Sequence, residues 1–275
     1  MKNFKDAVKE ILTMFEREEF TEQLAISIIR RRSDEDVIPS DNWSILNRLI
    51  MLMIGRTEDA RTYLQWQSIG RQVKKGAKAF QIIAPMTKKI IDEETGEEEI
   101  KLIGFKGLPV FAIECTDGEP IKRADYKPER LTLNMEKLIE AVEAMGATVD
   151  WSAMRGTALG SYRPADNTIK LHSESYVVLA HEAVHFAHNT FEDVLSIDSA
   201  KAEIVAELGA AVLCILADEK GYEKQSYEYI RKYAKTDDPK VVIKAVNSVL
   251  TTVEKAVGII IDNMVPPALK EPPAL

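Results

Sequence analysis

His181-Glu182-Ala183-Val184-His185-Phe186, the stretch HEAVHF at residues 181–186, decides how the second half of this chain is read. Residues four apart on a helix share a face, so His181 and His185 can reach one metal ion together. Glu182 follows the first histidine and lies to one side, where its carboxylate can take a proton from water. Zinc brings the pKa of a bound water toward neutrality, so a nearby carboxylate suffices as general base. The competing reading is a polar stripe on an ordinary helix. With 4 histidines in 275 residues, chance is a poor explanation of this spacing.

A catalytic zinc normally takes a third protein ligand and keeps a fourth position open. The apolar run YVVLA before the motif suits a helix entering a core, and the next helical segment, KAEIVAELGAAVL, supplies Glu203 and Glu207 one turn apart. The residues around them are small or apolar, and buried carboxylates need partners. The expected division is Glu203 on the metal and Glu207 hydrogen-bonded to a ligand imidazole, with Glu207 as the alternative ligand. His188 lies too far along the same helix to be the third ligand. His172, near a strand end, reads as a surface histidine, with charge stabilisation in the pocket as the alternative.

The composition is that of a globular protein able to bury a core: 45% hydrophobic and 29% charged, with a net charge of −8. That balance argues against nonspecific coating of nucleic acid by the whole molecule. Cys115 and Cys214 lie in apolar contexts and read as reduced thiols. The charged N-terminus lacks an apolar h-region and no run of about 18 apolar residues exists, so a cytoplasmic protein is expected.

Periodicity predicts helices in residues 1–31, from Trp43 to Ile54 (capped by Ser40 or Asp41) and from Tyr63 to Val73. Strands follow in AFQIIAP, in KKIIDEETGEEEIKLIGF around a Thr-Gly turn in an acidic loop (Asp92 to Glu99), and in LPVFAIEC. TDGEPIKRADYKPER reads as a linker. Beyond it the pattern predicts a helix from Met135 to Met145 and short strands in ATVDW, ALGSYR and NTIKL. Helices then run from Glu174 to His188, Ser199 to Ala217, Lys224 to Tyr233 and Pro239 to Ile261. The fold class is α+β in two domains, 1–124 with helices and an antiparallel sheet, and 125–262 with a small sheet and the HEAVH helix. Residues 263–275 form a proline-rich tail.

From Arg56 to Lys89 the chain carries Arg56, Arg61, Arg71, Lys74, Lys75, Lys78, Lys88 and Lys89 against only Glu58 and Asp59. Such a stretch can track phosphates, and Tyr63, Trp66 and Phe80 can stack bases. The alternative is a solvated lysine face with Trp66, Ile69 and Val73 as a core stripe.

HEAVHF followed by AEIVAELGAAVLC resembles the zincin-like metallopeptidase domain of ArdC-type antirestriction proteins, and SYRPADNTIKL resembles the tyrosine-bearing strand, turn and strand before it. YLQWQSIGRQVKKGAKAFQII and PVFAIECTDG resemble the N-terminal half of the same family. The match runs in order through most of residues 43–262. It departs where NWSILN stands in place of a glycine- and tyrosine-containing loop, where Cys115 lies near the family's usual glutamine, and where His185-Phe186-Ala187-His188 shortens the family's continuation of the metal helix. The resemblance implies a divergent member. Its implied parts are an N-terminal single-stranded-DNA-binding domain, a C-terminal zincin and protection of incoming mobile DNA.

The expectation is thus an antirestriction-type protein of a mobile element or phage. Zn2+ is held by His181, His185 and Glu203, and Glu182 is the base of a metallopeptidase acting on an unidentified protein substrate. Single-stranded DNA would lie on Trp66, Arg71, Lys74, Lys75 and Lys78. Two rivals remain: a regulatory protease resembling the ImmA/IrrE type that cuts a repressor, and a nonenzymatic DNA-binding protein with structural zinc.

Overall fold

The computed structural model describes residues 4–14, 17, 19–30, 38–91, 98–121, 133–153, 159–219 and 239–264. The chain divides into two compact units. One comprises Met1–Phe20, Ser33–Asp125 and Tyr233–Val246, and the other Thr21–Arg32, Tyr126–Lys232 and Asn247–Leu275. Most of the acidic loop and of the linker, the Lys224–Tyr233 helix and nearly all of the tail lie outside the described residues.

The first unit holds α1 (Phe4–Met14), α3 (Ile45–Leu49) continuing as a wide π turn through Ile54, and α4 (Tyr63–Ser68). α2 (Phe20–Arg30) falls almost wholly in the second unit. Ser44, not Ser40 or Asp41, caps α3, its hydroxyl accepting from the Asn47 N–H. The sheet orders β1 (Ala60–Arg61), β4 (Glu98–Ala112) and β3 (Phe80–Ile91), all antiparallel, with a bulge between Met86 and Thr87. The separate strands expected here are therefore one long hairpin. Pro85 does not interrupt it because β3 is an edge strand, where a missing N–H is tolerated. Asn47 partly covers that edge: its side-chain amide donates to the Ile83 carbonyl and accepts from the Ile83 N–H, both at 2.8 Å. A second pair joins β2 (Gln72–Val73) to β5 (Thr116–Asp117).

α4 is shorter than its periodicity predicted. Gly70, at φ +76°, turns the chain out of the helix, and Val73 falls in β2 instead. The core stripe fails with it: Trp66 is fully buried while Ile69 is 42% exposed.

In the second unit α5 (Met135–Ala144), β6 (Thr148–Trp151), β7 (Gly160–Arg163), β8 (Thr168–Leu171), α6 (Tyr176–Asn189) and α7 (Ser199–Leu216) follow the expected order. The sheet order is β6-β8-β7, with β6 and β8 parallel and β7 antiparallel to β8 through a turn whose Asn167 sits at φ 53°. α8 (Pro239–Met264), whose residues from Asn247 on belong to this unit, buries Val249, Leu250, Val253, Ala256, Val257 and Ile260 along one face. No described helix is long and apolar enough to cross a membrane.

Candidate metal centre

α6 begins at Ser175, whose hydroxyl accepts from the Val178 N–H, and α7 at Asp198, whose carboxylate accepts from the Ala200 N–H. They pack antiparallel. A Cβ on Gly209 of α7 would lie 2.7 Å from Val184 Cγ1 of α6, so only glycine allows this approach. At that separation Glu203 of α7 meets both histidines of α6.

His181 Nε2 and His185 Nε2 are 3.2 Å apart. Glu203 places Oε2 3.5 Å from His181 Nε2 and Oε1 3.5 Å from His185 Nε2. Donors about 2.0–2.1 Å from a tetrahedral zinc are separated by about 3.3–3.4 Å; the two imidazole nitrogens are near that spacing, and with one carboxylate oxygen the three ligand atoms lie within 4.8 Å of one another. It is the one group of three or more His, Cys, Asp or Glu among the described residues that could hold a metal. His185 is 13% exposed and His181 27%, while Glu203 at 60% closes the group from the solvent side. Two imidazoles and a carboxylate form a nitrogen and oxygen donor set that suits zinc and neighbouring divalent ions.

The local electrostatics fit the same role. Hydrogen bonding to His181 and His185 holds Glu203 ionised far below the usual carboxylate range. Burial pulls the His181 pKa down, but the Glu203 hydrogen bond and the charges of Glu182, Glu203 and Glu207 outweigh it and raise the pKa. Glu182 is buried, and that burial raises its pKa against the pull of both histidines. The backbone N–H of Tyr162 on β7 donates to its carboxylate. Gly160, also on β7, makes room for it: a Cβ there would sit 3.3 Å from Glu182 Oε1.

Glu207 lies on the same side of α7, its pKa raised by burial, and acts on His181 through charge; its carboxylate is not part of the His181/His185/Glu203 group. His188 turns away, its Nε2 2.8 Å from Glu192 Oε2. His172 Nδ1 sits 3.1 Å from the Ser152 hydroxyl. The sequence pattern did not single out Gly160, Asn189, Glu192 or Lys201. Tyr162, whose strand it did note, bonds Asn167 and Asn189 through its hydroxyl at 2.8 and 3.0 Å.

The residues expected to bind DNA divide into two kinds. Trp66 cannot stack a base, because it is buried with its indole N–H donating to the Phe111 carbonyl at 2.9 Å and the Arg61 guanidinium 4.9 Å from its ring. Arg71 is also buried. It donates to the Thr116 hydroxyl and carbonyl and to the carbonyls of Gly118 and Glu119, so it fastens a loop and is not free to bind phosphate. Lys74 reaches the Glu114 carbonyl at 3.1 Å and Asp117 at 3.5 Å. Lys75 and Lys78 are exposed, as are Arg56, Tyr63 and Leu64.

The fold and site define an α+β protein with a His/His/Glu centre on paired helices and a helix-and-hairpin N-terminal unit. A family model described as the N-terminal domain of anti-restriction factor ArdC matches residues 36–111. The crystal structure of antirestriction ArdC protein from the R388 plasmid, Mn(II)-bound, matches with a TM-score of 0.59 and 21% identity, covering 96% of this chain and 98% of that one. The metal-free structure of that protein matches with a TM-score of 0.50 and 24% identity, covering 89% and 96%. No curated protein sequence matches. Residues 36–111 thus match the ArdC N-terminal domain, and most of the chain's length shares the fold of the ArdC structures.

Proposed function

We propose that this is an antirestriction-type protein of a mobile element or phage, carrying a zinc-dependent peptidase site and a single-strand-binding N-terminal unit. One observation carries the peptidase reading: Glu182 is a buried carboxylate of raised pKa directly beside the His181/His185/Glu203 donor group. A purely structural site needs no base there. A divalent ion in the site supplies Lewis-acid polarisation and makes water a nucleophile near neutral pH. Glu182 takes the proton of the attacking water and returns it to the leaving amine, and its raised pKa brings it closer to the range where one group can do both. Zinc is the favoured ion on the donor set, with the Mn(II)-bound relative as support for divalent-metal binding in this fold.

The single-strand reading rests on the ArdC N-terminal domain match together with exposed Lys75, Lys78 and Arg56 and the exposed ring of Tyr63. Cations of this kind neutralise phosphates and an exposed ring offers a sequence-tolerant stacking surface.

The test pairs two measurements on the full chain. Anisotropy of a labelled single-stranded oligonucleotide is titrated at two salt concentrations with duplex competitor. Hydrolysis of an unstructured protein substrate is compared between the zinc-loaded wild type and Glu182→Gln. Salt-sensitive preference for single strands and cleavage lost in Glu182→Gln are expected. Absence of binding at low salt removes the DNA reading and leaves a regulatory protease. Cleavage unchanged in Glu182→Gln removes the peptidase reading.

A further inference from the structure

α7 carries two carboxylates one turn apart, Glu203 and Glu207, and only the first stands among the metal donors. Gly209 sets how near α7 comes to α6 at Val184, about 12 Å of helix rise from Lys201 at the far end of α7. At that far end lies a polar network. His188, in the last turn of α6, is fully buried, and its Nε2 is 2.8 Å from Glu192 Oε2. Lys201 Nζ, in the first turn of α7, donates to Glu192 Oε1 at 3.0 Å and to Oε2 at 2.9 Å.

Burial lowers the His188 pKa, while hydrogen bonds from His188 and Lys201 lower that of Glu192. The carboxylate is ionised and can only accept, so His188 Nε2 carries the hydrogen and donates it. Just before Glu192, the Phe191 ring lies 4.0 Å beneath Lys255 of α8, which anchors the same loop from another side. An exposed ion pair holds little. This one ends on a buried imidazole, Lys201 is 19% exposed, and the geometry is directional.

We infer that His188, Glu192 and Lys201 form a clasp that holds the N-terminal end of α7 against α6 and thereby makes Glu203 the metal ligand. Lys201 precedes Glu203 by two residues, about 3 Å of helix rise, so an anchored Lys201 leaves Glu203 little lateral freedom. Glu207 lies further from the clasp and gains less from it. The three residues are positioning residues, with no contact to the metal. This inference rests on the proposed metal site.

The test is Zn2+ affinity by competition with a chromophoric chelator, on the full chain, for the wild type, Lys201→Ala, Glu203→Gln and the double variant. Far-UV circular dichroism and thermal melting are recorded for each. Lys201→Ala is expected to weaken Zn2+ binding about tenfold or more, in the range found when groups supporting metal ligands are removed. In the Glu203→Gln background the same change is expected to cost less than about twofold, because the ligand it positions is gone. Lys201→Arg, which keeps the cation, is expected to restore most of the affinity. Equal losses in both backgrounds, or no loss in the wild-type background, overturn the clasp while leaving the metal site intact. A wild type that binds no Zn2+ overturns both. Should Lys201→Ala fail to fold, Glu192→Gln, which keeps the shape and removes the charge, is read by the same criteria.

Discussion

The centre on α6 and α7 and the basic stretch from Arg56 to Lys89 both look functional in sequence, and the structure treats them differently. His181, His185 and Glu203 converge, with the nearest pairs of donor atoms 3.2–3.5 Å apart. In the basic stretch, Trp66 and Arg71 are drawn into the core and a loop, and only Lys75 and Lys78 of the five expected DNA contacts remain exposed without a side-chain partner among the described residues. Chemistry written as helical spacing survives folding because the helix itself sets the distances. Chemistry written as local composition does not, because the fold claims some of those side chains for its own hydrogen bonds.

Stability measurements can break this contrast first. Trp66→Ala should destabilise the protein by about 3–5 kcal/mol in urea unfolding, as expected for a large aromatic removed from a core. A loss under about 1 kcal/mol would return Trp66 to the surface and to candidacy as a stacking residue. Arg71→Ala should cost about 2–3 kcal/mol, because it leaves several buried acceptors unpaired. Arg71→Lys should recover little, since a point cation cannot span the hydroxyl and the three carbonyls.

A pH titration sharpens the metal side. The His181 pKa is raised in the metal-free protein, and a protonated imidazole cannot bind an ion. Apparent Zn2+ affinity should therefore plateau at high pH and fall as pH drops through a value above 6.5. Below it the fall should reach about tenfold per pH unit for each proton displaced. A flat profile between pH 6 and 8 would remove His181 from the ligand set. The smallest expected effects concern the exposed lysines. Lys75→Ala and Lys78→Ala should each change stability by less than about 0.5 kcal/mol. Each should also lower the salt dependence of single-strand binding by about one counterion. An unchanged slope would show that these lysines meet no phosphate.

The legible part of the site was the part encoded over one turn. His181, Glu182 and His185 lie on α6 at the spacing the sequence displays, and Glu203 and Glu207 repeat that spacing on α7. In the first unit the misreadings have a common cause. Arg71 is claimed by acceptors 45–48 residues away, and Trp66 by a carbonyl at a separation of 45. Three of Arg71's four acceptors, and Trp66's, are backbone carbonyls, which every residue has and which leave no trace in a sequence. The long hairpin was divided at Pro85 and after Phe105 because edge position, which tolerates the proline, is a property of the assembled sheet. The parallel pairing of β6 with β8 was equally hidden. The clasp is intermediate: His188 drew attention as a histidine, but its partners lie 4 and 13 residues onward, across the turn between helices.

Glu203 is the most exposed of the three donors, and the Val184–Gly209 crossing that brings the helices together contains no metal donor. If the proposed site takes an ion, the scaffold would fold empty and be filled later from the solvent side. Chelators should strip the ion in minutes without unfolding the protein, and a different divalent ion should replace it on simple mixing. The metal found in purified material would then report the growth medium and the buffer as much as the protein. Occupancy of the proposed site would then be set after synthesis, by the free-metal pool, with no new protein made.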